Sequence, residues 1–329
     1  MPTQTAHANV LEKLTDENVT AEKLELLREE VTRCNAKIIQ MRKEIHKTIV
    51  GQQDTVNSLL RCILANGHAL LEGAPGTAKT LLVNSFAATV RNATFKRVQF
   101  TPDLLPGDVI GVTAYHPEKG FYTVKGPCFA NFLLADEINR APPKVQSAML
   151  ELMQERQVTI GKKTFKLPKP FLVLATQNPV EQEGTFPLPE AQVDRFLFKL
   201  IVDYPPEEDE TYIVENNSTV KAMEEFKINE IVDPEEIVSM QQLIKKIYLS
   251  RAIRKYIVSL IMMTRSQRKH DFKYAKYLAW GAGTRASISL FIASKANAFM
   301  NNRSYVIPED VQAVVHGVLR HRILLTYEA

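Results

Sequence analysis

A narrow apolar stripe is the first regular pattern along the chain. It follows a polar start over residues 1–20, and its members recur at alternating steps of three and four residues, which is typical of one helix face. They are Leu24, Leu27, Val31, Cys34, Ile38, Met41 and Ile45. A coiled coil usually needs three or four sustained heptads with flanking charge pairs. We therefore predict a helical extension over residues 1–45 that docks on its own domain, with a partner-binding helix as the alternative.

Between Val50 and Tyr204 the pattern changes to short apolar runs that alternate with helical stretches. Strands that alternate with helices favour an α/β domain, in which a parallel sheet is covered on both faces. The predicted strands are His68–Glu72, Arg97–Phe100, Phe132–Ala135, Phe171–Thr176 and Arg195–Leu200.

Two further segments have the pattern of β-hairpins with exposed tips. Thr113–Lys125 carries the turn His116-Pro117-Glu118-Lys119-Gly120, and Gln157–Leu167 turns at Gly161-Lys162-Lys163. Gly and Pro clusters between short strands are typical of such turns.

The sequence Asp203-Tyr204-Pro205-Pro206 predicts a domain boundary. Prolines stop regular structure, and the acidic run Glu207–Glu210 suits the N-terminus of a new helix. The chain beyond it carries mainly helical apolar patterns. We therefore expect a core over residues 46–206 and a small all-helical domain over residues 207–329.

The strongest chemical signal is the run Gly73-Ala74-Pro75-Gly76-Thr77-Ala78-Lys79-Thr80 between a predicted strand and a predicted helix. In that context, backbone N–H groups and the helix N-terminus bind phosphate. Lys79 would reach the β- and γ-phosphates, and Thr80 would hold Mg²⁺. The strict pattern has Gly where Ala78 stands, and an ordinary Gly/Pro turn before a helix is the alternative.

Two adjacent carboxylates, Asp136 and Glu137, end the apolar strand that begins at Phe132. Asp136 can orient Mg²⁺ and its waters, and Glu137 can polarise an attacking water as a general base. An acidic pair after a strand is otherwise a common helix cap, but a preceding phosphate loop favours the catalytic role.

Asn178 ends another apolar strand, in the run Ala175-Thr176-Gln177-Asn178-Pro179. If that strand lies beside the strand of Asp136, the Asn178 amide would bind the γ-phosphate or the attacking water. An Asn-Pro turn is the alternative.

Composition narrows the class of protein further. The 329 residues are 45% hydrophobic and 24% charged, which excludes a disordered or collagen-like chain. A formal charge of +4 is too small to indicate nucleic-acid binding by itself. Cys34, Cys62 and Cys128 have no paired spacing, so neither a disulfide framework nor a zinc ribbon is expected.

From the sequence pattern we expect neither a secretory leader nor a membrane span. No basic-then-apolar pattern opens it, and apolar runs such as Ile257–Met263 fall far short of the roughly 20 residues that cross a bilayer. We expect a soluble cytoplasmic protein.

Six motifs in this order resemble the MoxR family of AAA+ ATPases, in the helix-2-insert clade. They are Val50-Gly51-Gln52, Gly73–Thr80, Asp136-Glu137-Ile138-Asn139-Arg140-Ala141, Ala175–Pro179, Leu188–Phe196 and Gly281-Ala282-Gly283-Thr284-Arg285-Ala286-Ser287. The resemblance covers nearly everything from Lys47 to the C-terminus. It implies a P-loop AAA+ αβα core with a parallel sheet, followed by a helical lid. The two hairpins match the helix-2 insert and the pre-sensor-1 hairpin, which face the ring pore in the wider clade.

The resemblance also implies a site for ATP and Mg²⁺. It assigns the Walker A pair to Lys79 and Thr80, the Walker B pair to Asp136 and Glu137, and sensor 1 to Asn178. Thr80 and Asp136 would hold the metal, and the clade often has Ala at the position of Ala78. The adenine pocket would be lined by Val50, Gly51 and Gln52.

Two arginines complete the implied site. Arg195 matches the arginine finger that reaches the nucleotide of the neighbouring subunit, and Arg285 matches sensor 2 in the lid. The alternatives are a structural ion pair of Arg195 with Asp194 or Glu190, and a surface role for Arg285. The family usually has Ser-Pro before the sensor 2 arginine, whereas this chain has Gly283-Thr284.

The implied function is Mg²⁺-dependent ATP hydrolysis, to ADP and phosphate, that drives chaperone-like remodelling. The resemblance implies a hexameric homo-oligomer that matures client complexes or inserts metals, often with a von Willebrand factor A domain protein. A nucleic-acid motor is the alternative, and it would need a basic stripe or a DNA-binding module. A switch without turnover is disfavoured by Glu137 and Arg195. Basic residues over 265–276 are interpreted as a solvated face.

Overall fold

The computed structural model describes residues 21–74, 76–118, 120–179, 184–216, 223–265 and 273–329. Four parts of the sequence-based predictions lie outside these residues: the polar start over 1–20, Pro75 of the candidate phosphate loop, Lys119 of the first predicted hairpin turn, and residues 266–272 of the basic patch.

Strands and helices alternate through the first part of the chain, as predicted. The strands are β1 (Ala69–Glu72), β2 (Phe95–Gln99), β3 (Gly111–His116), β4 (Gly120–Lys125), β5 (Phe132–Asp136), β6 (Gln157–Ile160), β7 (Lys163–Lys166), β8 (Leu172–Gln177) and β9 (Phe198–Ile201). The helices are α1 (Ala21–Ile45), α2 (Gln53–Leu64), α3 (Lys79–Ala88), α4 (Pro106–Ile110), α5 (Pro143–Glu155) and α6 (Glu190–Val193), with a 3₁₀ turn at Ile138–Arg140.

Five of these strands form a parallel sheet in the order β2-β5-β8-β1-β9. Every residue of β5 is buried, and so are the first five of β8. Continuous apolar runs are expected where helices cover both faces of a parallel sheet. The α/β prediction is confirmed.

The last strand of the sheet begins later than the sequence predicted. The run Arg195–Leu200 was expected to be extended, but β9 starts at Phe198. The N–H groups of Arg195 and Phe196 instead donate to the carbonyls of Gln192 and Val193, 3.1 Å away in each case. These bonds continue the turn that follows α6, so Arg195 lies in a loop.

Both predicted hairpins are present. β3 pairs antiparallel with β4, and β6 pairs antiparallel with β7. The first begins at Gly111, two residues before the predicted start, and φ there is +103°. A Cβ on Gly111 would lie 2.3 Å from the carbonyl oxygen of Val124, so the strands can meet at this position only with Gly.

The N-terminal helix α1 docks on its own chain, as the preferred interpretation held. Val31, Ile38 and Met41 are almost fully buried in an apolar cluster that includes residues of the core and of the second domain. Asn35 Nδ2 also donates to the carbonyl of Phe299 at 2.8 Å.

The second domain is mainly helical. It comprises α7 (Glu207–Asn216), α8 (Pro234–Lys246), α9 (Arg251–Met263), α10 (Thr284–Met300) and α11 (Pro308–Leu319), with 3₁₀ turns at Met223–Phe226 and Ala275–Tyr277. The all-helical prediction missed one small element, an antiparallel pair of β10 (Leu278–Trp280) and β11 (Leu324–Leu325). These runs of three and two residues are too short to give a strand pattern in the sequence.

Candidate functional site

Three neighbouring strands of the sheet end at the same edge, and residues of the three predicted nucleotide-binding motifs follow or end them there. β1 leads into Gly73, β5 ends in Asp136, and β8 is followed by Asn178. β8 lies between β5 and β1, which is the arrangement that the proposed role of Asn178 required. Glu72 is in register with Gln177, and Gly73 N donates to the Gln177 carbonyl at 3.3 Å.

The loop from Gly73 to Ala78 has backbone geometry that depends on small residues. A Cβ on Gly73 would lie 2.3 Å from the carbonyl oxygen of Val202, so the loop can pass β9 only without a side chain. Gly76 has φ +80° with open space around it. Ala78 has φ +56°, a left-handed conformation in which a Cβ is unfavourable, and it immediately precedes α3.

The Lys79 ammonium lies inside this loop. Its Nζ donates to the carbonyls of Gly73 and Ala74, both at 2.7 Å, and lies 3.3 Å from Thr77 Oγ1. Burial lowers the pKa of Lys79, while the carboxylates of Asp136 and Glu137 oppose that shift. The two carboxylates are thus close enough to act electrostatically on the loop cation.

Asp136 is held by two polar partners. Thr176 Oγ1 donates to Asp136 Oδ1 at 2.5 Å. Arg97 donates to the other oxygen, Oδ2, from Nε at 3.0 Å and from Nη2 at 2.6 Å. Asp136 is only 8% exposed, and both of its carboxylate oxygens therefore have fixed directions.

Glu137 has a left-handed backbone, with φ +56°. Its N–H donates to Thr176 Oγ1 at 2.8 Å, and its Oε2 accepts from Gln99 Nε2 at 2.8 Å. Arg140 Nε lies 3.0 Å from the same carboxylate oxygen. Arg140 therefore pairs with Glu137 within the chain.

The predicted adenine segment lies against the loop. Gly51 and Gln52 are both left-handed, with φ +65° and +48°. Gln52 Nε2 is 3.5 Å from the carbonyl of Thr77, and Gln52 Oε1 is buried with no hydrogen-bond partner in the structure. A Cβ on Gly51 would lie 2.3 Å from Asp209 Oδ2, so the first turn of α7 closes over this segment.

Both predicted arginines are neighbours of Asp194. Arg195 follows it in the sequence, and Arg285 binds its carboxylate. Arg285, in the first turn of α10, donates from Nη1 to Asp194 Oδ2 at 2.9 Å. Asp194 also accepts from Arg322 Nε at 2.7 Å. The ion pair between Arg195 and Asp194, considered as an alternative, is thus replaced by pairs with Arg285 and Arg322.

Comparison with known proteins places this site in a family. Residues 68–198 match the ATPase family associated with various cellular activities (AAA), and residues 274–329 match the AAA lid domain. The chain is 47% identical over 288 residues to the chaperone MoxR1 of Mycobacterium tuberculosis, which covers 87% of this chain and 75% of that one. It is 32% identical over 299 residues to the protein MoxR of Methylorubrum extorquens, with 86% of each chain covered.

The chain belongs to the MoxR family of AAA+ ATPases. The crystal structure of a candidate ATPase from Cytophaga hutchinsonii has the same fold, with a TM-score of 0.84, 47% identity and 93% of each chain covered. The Bacillus subtilis protein YeaC is 41% identical over 87% of both chains. The MoxR family, the fold class and the ATPase class predicted from the sequence are confirmed. Membership of the helix-2-insert clade stays a prediction.

Three residues around the MoxR carboxylates were missed as site residues by sequence reasoning. Arg97 and Gln99 alternate on β2, next to β5, and each binds one of the carboxylates. Thr176 links the two, since its hydroxyl donates to Asp136 and accepts from the N–H of Glu137. Polar residues at alternating positions of a predicted strand beside the Asp136 strand were the available signal.

The described residues contain no cluster of three or more His, Cys, Asp or Glu side chains that could enclose a metal ion. The two predicted metal-binding oxygens, from Thr80 and Asp136, fit Mg²⁺ in an ATPase, because Mg²⁺ is usually held by one or two protein oxygens together with phosphate and water. No helix among the same residues has the length and apolar character needed to span a membrane.

Proposed function

We propose that this MoxR protein hydrolyses ATP at the edge formed by β1, β5 and β8, and that hydrolysis drives the remodelling of client proteins. The observation that carries the proposal is that Gly73, Asp136 and Asn178 follow or end neighbouring strands at one edge of the sheet, where the Lys79 ammonium lies in the loop and interacts electrostatically with Asp136. Nucleotide binding itself follows from the AAA family. The ATP-specific roles of individual residues are the proposed part.

The phosphates would lie over the loop from Gly73 to Ala78, at the N-terminus of α3. Backbone N–H groups there and the helix dipole favour negative charge. Lys79 would exchange its bonds to loop carbonyls for the β- and γ-phosphate oxygens. The buried, unpartnered Gln52 Oε1 lies beside Val50 and Gly51 and offers an acceptor to the adenine amino group.

Thr80 and Asp136 would hold Mg²⁺, with the Thr80 hydroxyl in the first turn of α3. The metal, when bound, neutralises charge on the phosphates. Asp136 would have to release Arg97 to bind it, and Thr176 would keep the carboxylate oriented in both states.

Glu137 would orient and deprotonate the attacking water, and the Asn178 amide would bind the water or the γ-phosphate. Gln99 and Arg140 hold the Glu137 carboxylate in this structure. Both partners are donors, so they fix the position of the carboxylate oxygen Oε2.

Arg195 would complete the site of a neighbouring subunit in a homo-oligomeric ring. Its side chain is half-buried, and it has no ion-pair partner within the described residues. A supplied arginine is worth about 10³–10⁵ in turnover in related nucleotide hydrolases. Arg285 would act from the lid, so that its position depends on whether the γ-phosphate is present.

The remodelling role rests on relatives named as MoxR proteins, one of them described as a chaperone. We propose a cytoplasmic, hexameric ring that matures client complexes or inserts a metal, together with a von Willebrand factor A domain protein. The hairpins β3–β4 and β6–β7 would contact the client. Rotation of the lid against the core would be transmitted to them.

Substitution of Glu137 tests the chemical step. Glu137→Gln should keep ATP affinity and lose about 10²–10⁴ in turnover, because an amide cannot accept the water proton. The matched control is Glu151→Gln, on the exposed face of α5, which should behave as the parent. Retained ATP and captured partners would be measured after gel filtration and pull-down in ATP. Unchanged turnover in Glu137→Gln would show that another group activates the water.

A further inference from the structure

Two residues that follow α11 in the lid, His321 and Arg322, bind the loop that carries Arg195. Arg322 lies just beyond α11, and its side chain is 1% exposed. Its Nε donates to Asp194 Oδ1 at 2.7 Å, and its Nη2 donates to the carbonyls of Asp194 at 2.9 Å and Phe196 at 2.7 Å. Its Nη1 donates to the carbonyls of Leu197 at 3.3 Å and Val318 at 2.5 Å. The five N–H donors of a guanidinium are therefore all used.

His321 adds a second contact to the same loop. Its Nε2 lies 3.1 Å from the Phe196 carbonyl. Burial lowers the pKa of His321 to about 3, so the ring is neutral near pH 7 and Nε2–H is the donor. Phe196 is fully buried. The carbonyls of Asp194 and Phe196, on either side of Arg195, are thus both bound by side chains of the lid.

None of these contacts from Arg322 and His321 involves the Arg195 side chain. Its backbone N–H is bound to the Gln192 carbonyl, and its side chain is half-buried without an ion-pair partner in the described part of the chain. The neighbouring carboxylate, Asp194, is already shared by Arg322 and Arg285. A loop whose backbone is fixed, and whose cation has no ion-pair partner among the described residues, is suited to presenting that cation to another subunit.

Asp194 links the two lid arginines electrostatically. Its Oδ1 accepts from Arg322 and its Oδ2 from Arg285, so one carboxylate connects the start of α10 with the end of α11. Because Arg322 is buried, its charge needs a nearby anion, and Asp194 supplies it. A movement of α10 or α11 would therefore shift Asp194, the residue before Arg195.

We propose that Arg322 is a positioning residue that, through Asp194 and the flanking carbonyls, places Arg195 for the nucleotide of the neighbouring subunit. This rests on the proposed role of Arg195 in a shared site. The consequence would be a coupling between the nucleotide sites of adjacent subunits. A lid that shifts with the nucleotide of its own subunit shifts the cation offered to the next subunit.

Mixed oligomers distinguish this role from a structural one. Arg322→Met homo-oligomers should lose about 10–100-fold in turnover, since a displacement of about 1 Å can cost 10²-fold. Their affinity for ATP, measured by fluorescent nucleotide, should stay within about two-fold, because among the described residues the hydrogen bonds of Arg322 go to Asp194, Phe196, Leu197 and Val318 and not to the loop before α3. Mixed with Glu137→Gln subunits, they should regain activity at intermediate ratios, where an intact Arg195 faces an intact Glu137.

The controls separate the inference from its premise. Arg320→Met, an exposed arginine two residues away whose Nε donates to the His316 carbonyl, should behave as the parent. The mixture of Arg195→Ala with Glu137→Gln is the reference. If it gives no restoration, the shared site itself is wrong. If it restores activity and the Arg322→Met mixture does not, Arg322 acts within its own subunit and this inference is overturned.

A second variant covers the case in which Arg322→Met fails to fold. Asp194→Asn keeps the size of the side chain and removes the shared charge, and the same restoration by Glu137→Gln subunits is expected. Thermal melting and gel filtration would establish that the variant is folded and assembled. A folded Asp194→Asn protein with undiminished turnover would overturn the proposed coupling.

Discussion

Left-handed backbone recurs at the residues that form the nucleotide site. Gln52, Ala78 and Glu137 have φ of +48°, +56° and +56°. Residues other than Gly adopt this conformation rarely, and it persists where surrounding contacts impose it. At Glu137 those contacts are visible, since Thr176, Gln99 and Arg140 all bind it. These contacts hold Glu137 in the left-handed conformation, directly after the strand that ends in Asp136.

Ala78 offers a direct measure of the strain in this conformation. Ala78→Gly should raise the free energy of unfolding by about 0.5–1 kcal/mol, because Gly populates positive φ without a Cβ penalty. Urea denaturation monitored by circular dichroism would give the value. Ala87→Gly, at the next-to-last residue of the same helix, is the control and should lower stability, because Gly has a lower helix propensity than Ala. A lower stability for Ala78→Gly would show that the loop does not strain this residue.

At the scale of elements, two buried histidines join parts of the fold. His68 precedes β1, where Nδ1 accepts from the Val173 N–H of β8 at 3.0 Å and Nε2 donates to the Met153 carbonyl of α5 at 3.0 Å. His321 binds the lid to the loop of Phe196. Both rings must be neutral to make these bonds without a buried charge.

Acid should therefore weaken the fold in a defined window. Burial lowers the pKa of His68 and of His321 to about 3, whereas a histidine in the unfolded chain titrates near about 6.5. Between these values the unfolded chain binds more protons, so stability falls as the pH falls. Each histidine contributes up to about 1.4 kcal/mol per pH unit.

Urea denaturation between about pH 7 and pH 5 measures this slope. Carboxyls whose pKa is lowered, Glu44 and Glu236, act below their ordinary value of 4.5 and leave the window to the histidines. His68→Gln is the informative variant, because its slope should be about half that of the parent. A free energy of unfolding that does not change across the window would contradict the assignment of neutral buried rings.

The sequence predicted the sheet and the order of its motifs because both depend on local patterns. Phe132–Ala135 and Leu172–Ala175 are apolar throughout, and the loop before α3 is rich in Gly, Ala and Thr. The contacts of Arg97, Gln99 and Arg322 could not be predicted in the same way, since their partners are far apart in the chain. The late start of β9 was missed for a different reason, because local bonds from the N–H groups of Arg195 and Phe196 to the carbonyls of Gln192 and Val193 extend the turn after α6 through an apolar run.

At the scale of the whole molecule, the core and the lid share one apolar cluster. It contains Met41 of α1, Leu71 of β1 and Leu290 of α10, so the N-terminal helix is packed with both parts. A polar contact adds to it, because Arg61 Nε of α2 donates to Asn297 Oδ1 of α10 at 2.7 Å. A nucleotide bound at the edge of the sheet would thus act on the lid through Asp194, Arg285 and the shared cluster.

Calorimetric titration of ATP with Mg²⁺ into the parent, Lys79→Ala and the exposed-lysine control Lys162→Ala tests the central claim most directly. The parent and Lys162→Ala should bind with the same affinity, about one nucleotide per chain, because Lys162 lies at the tip of the β6–β7 hairpin. Lys79→Ala should show no measurable binding while it melts at the temperature of the parent. Equal affinity for ATP in Lys79→Ala and the parent would contradict a triphosphate site on the loop from Gly73 to Thr80.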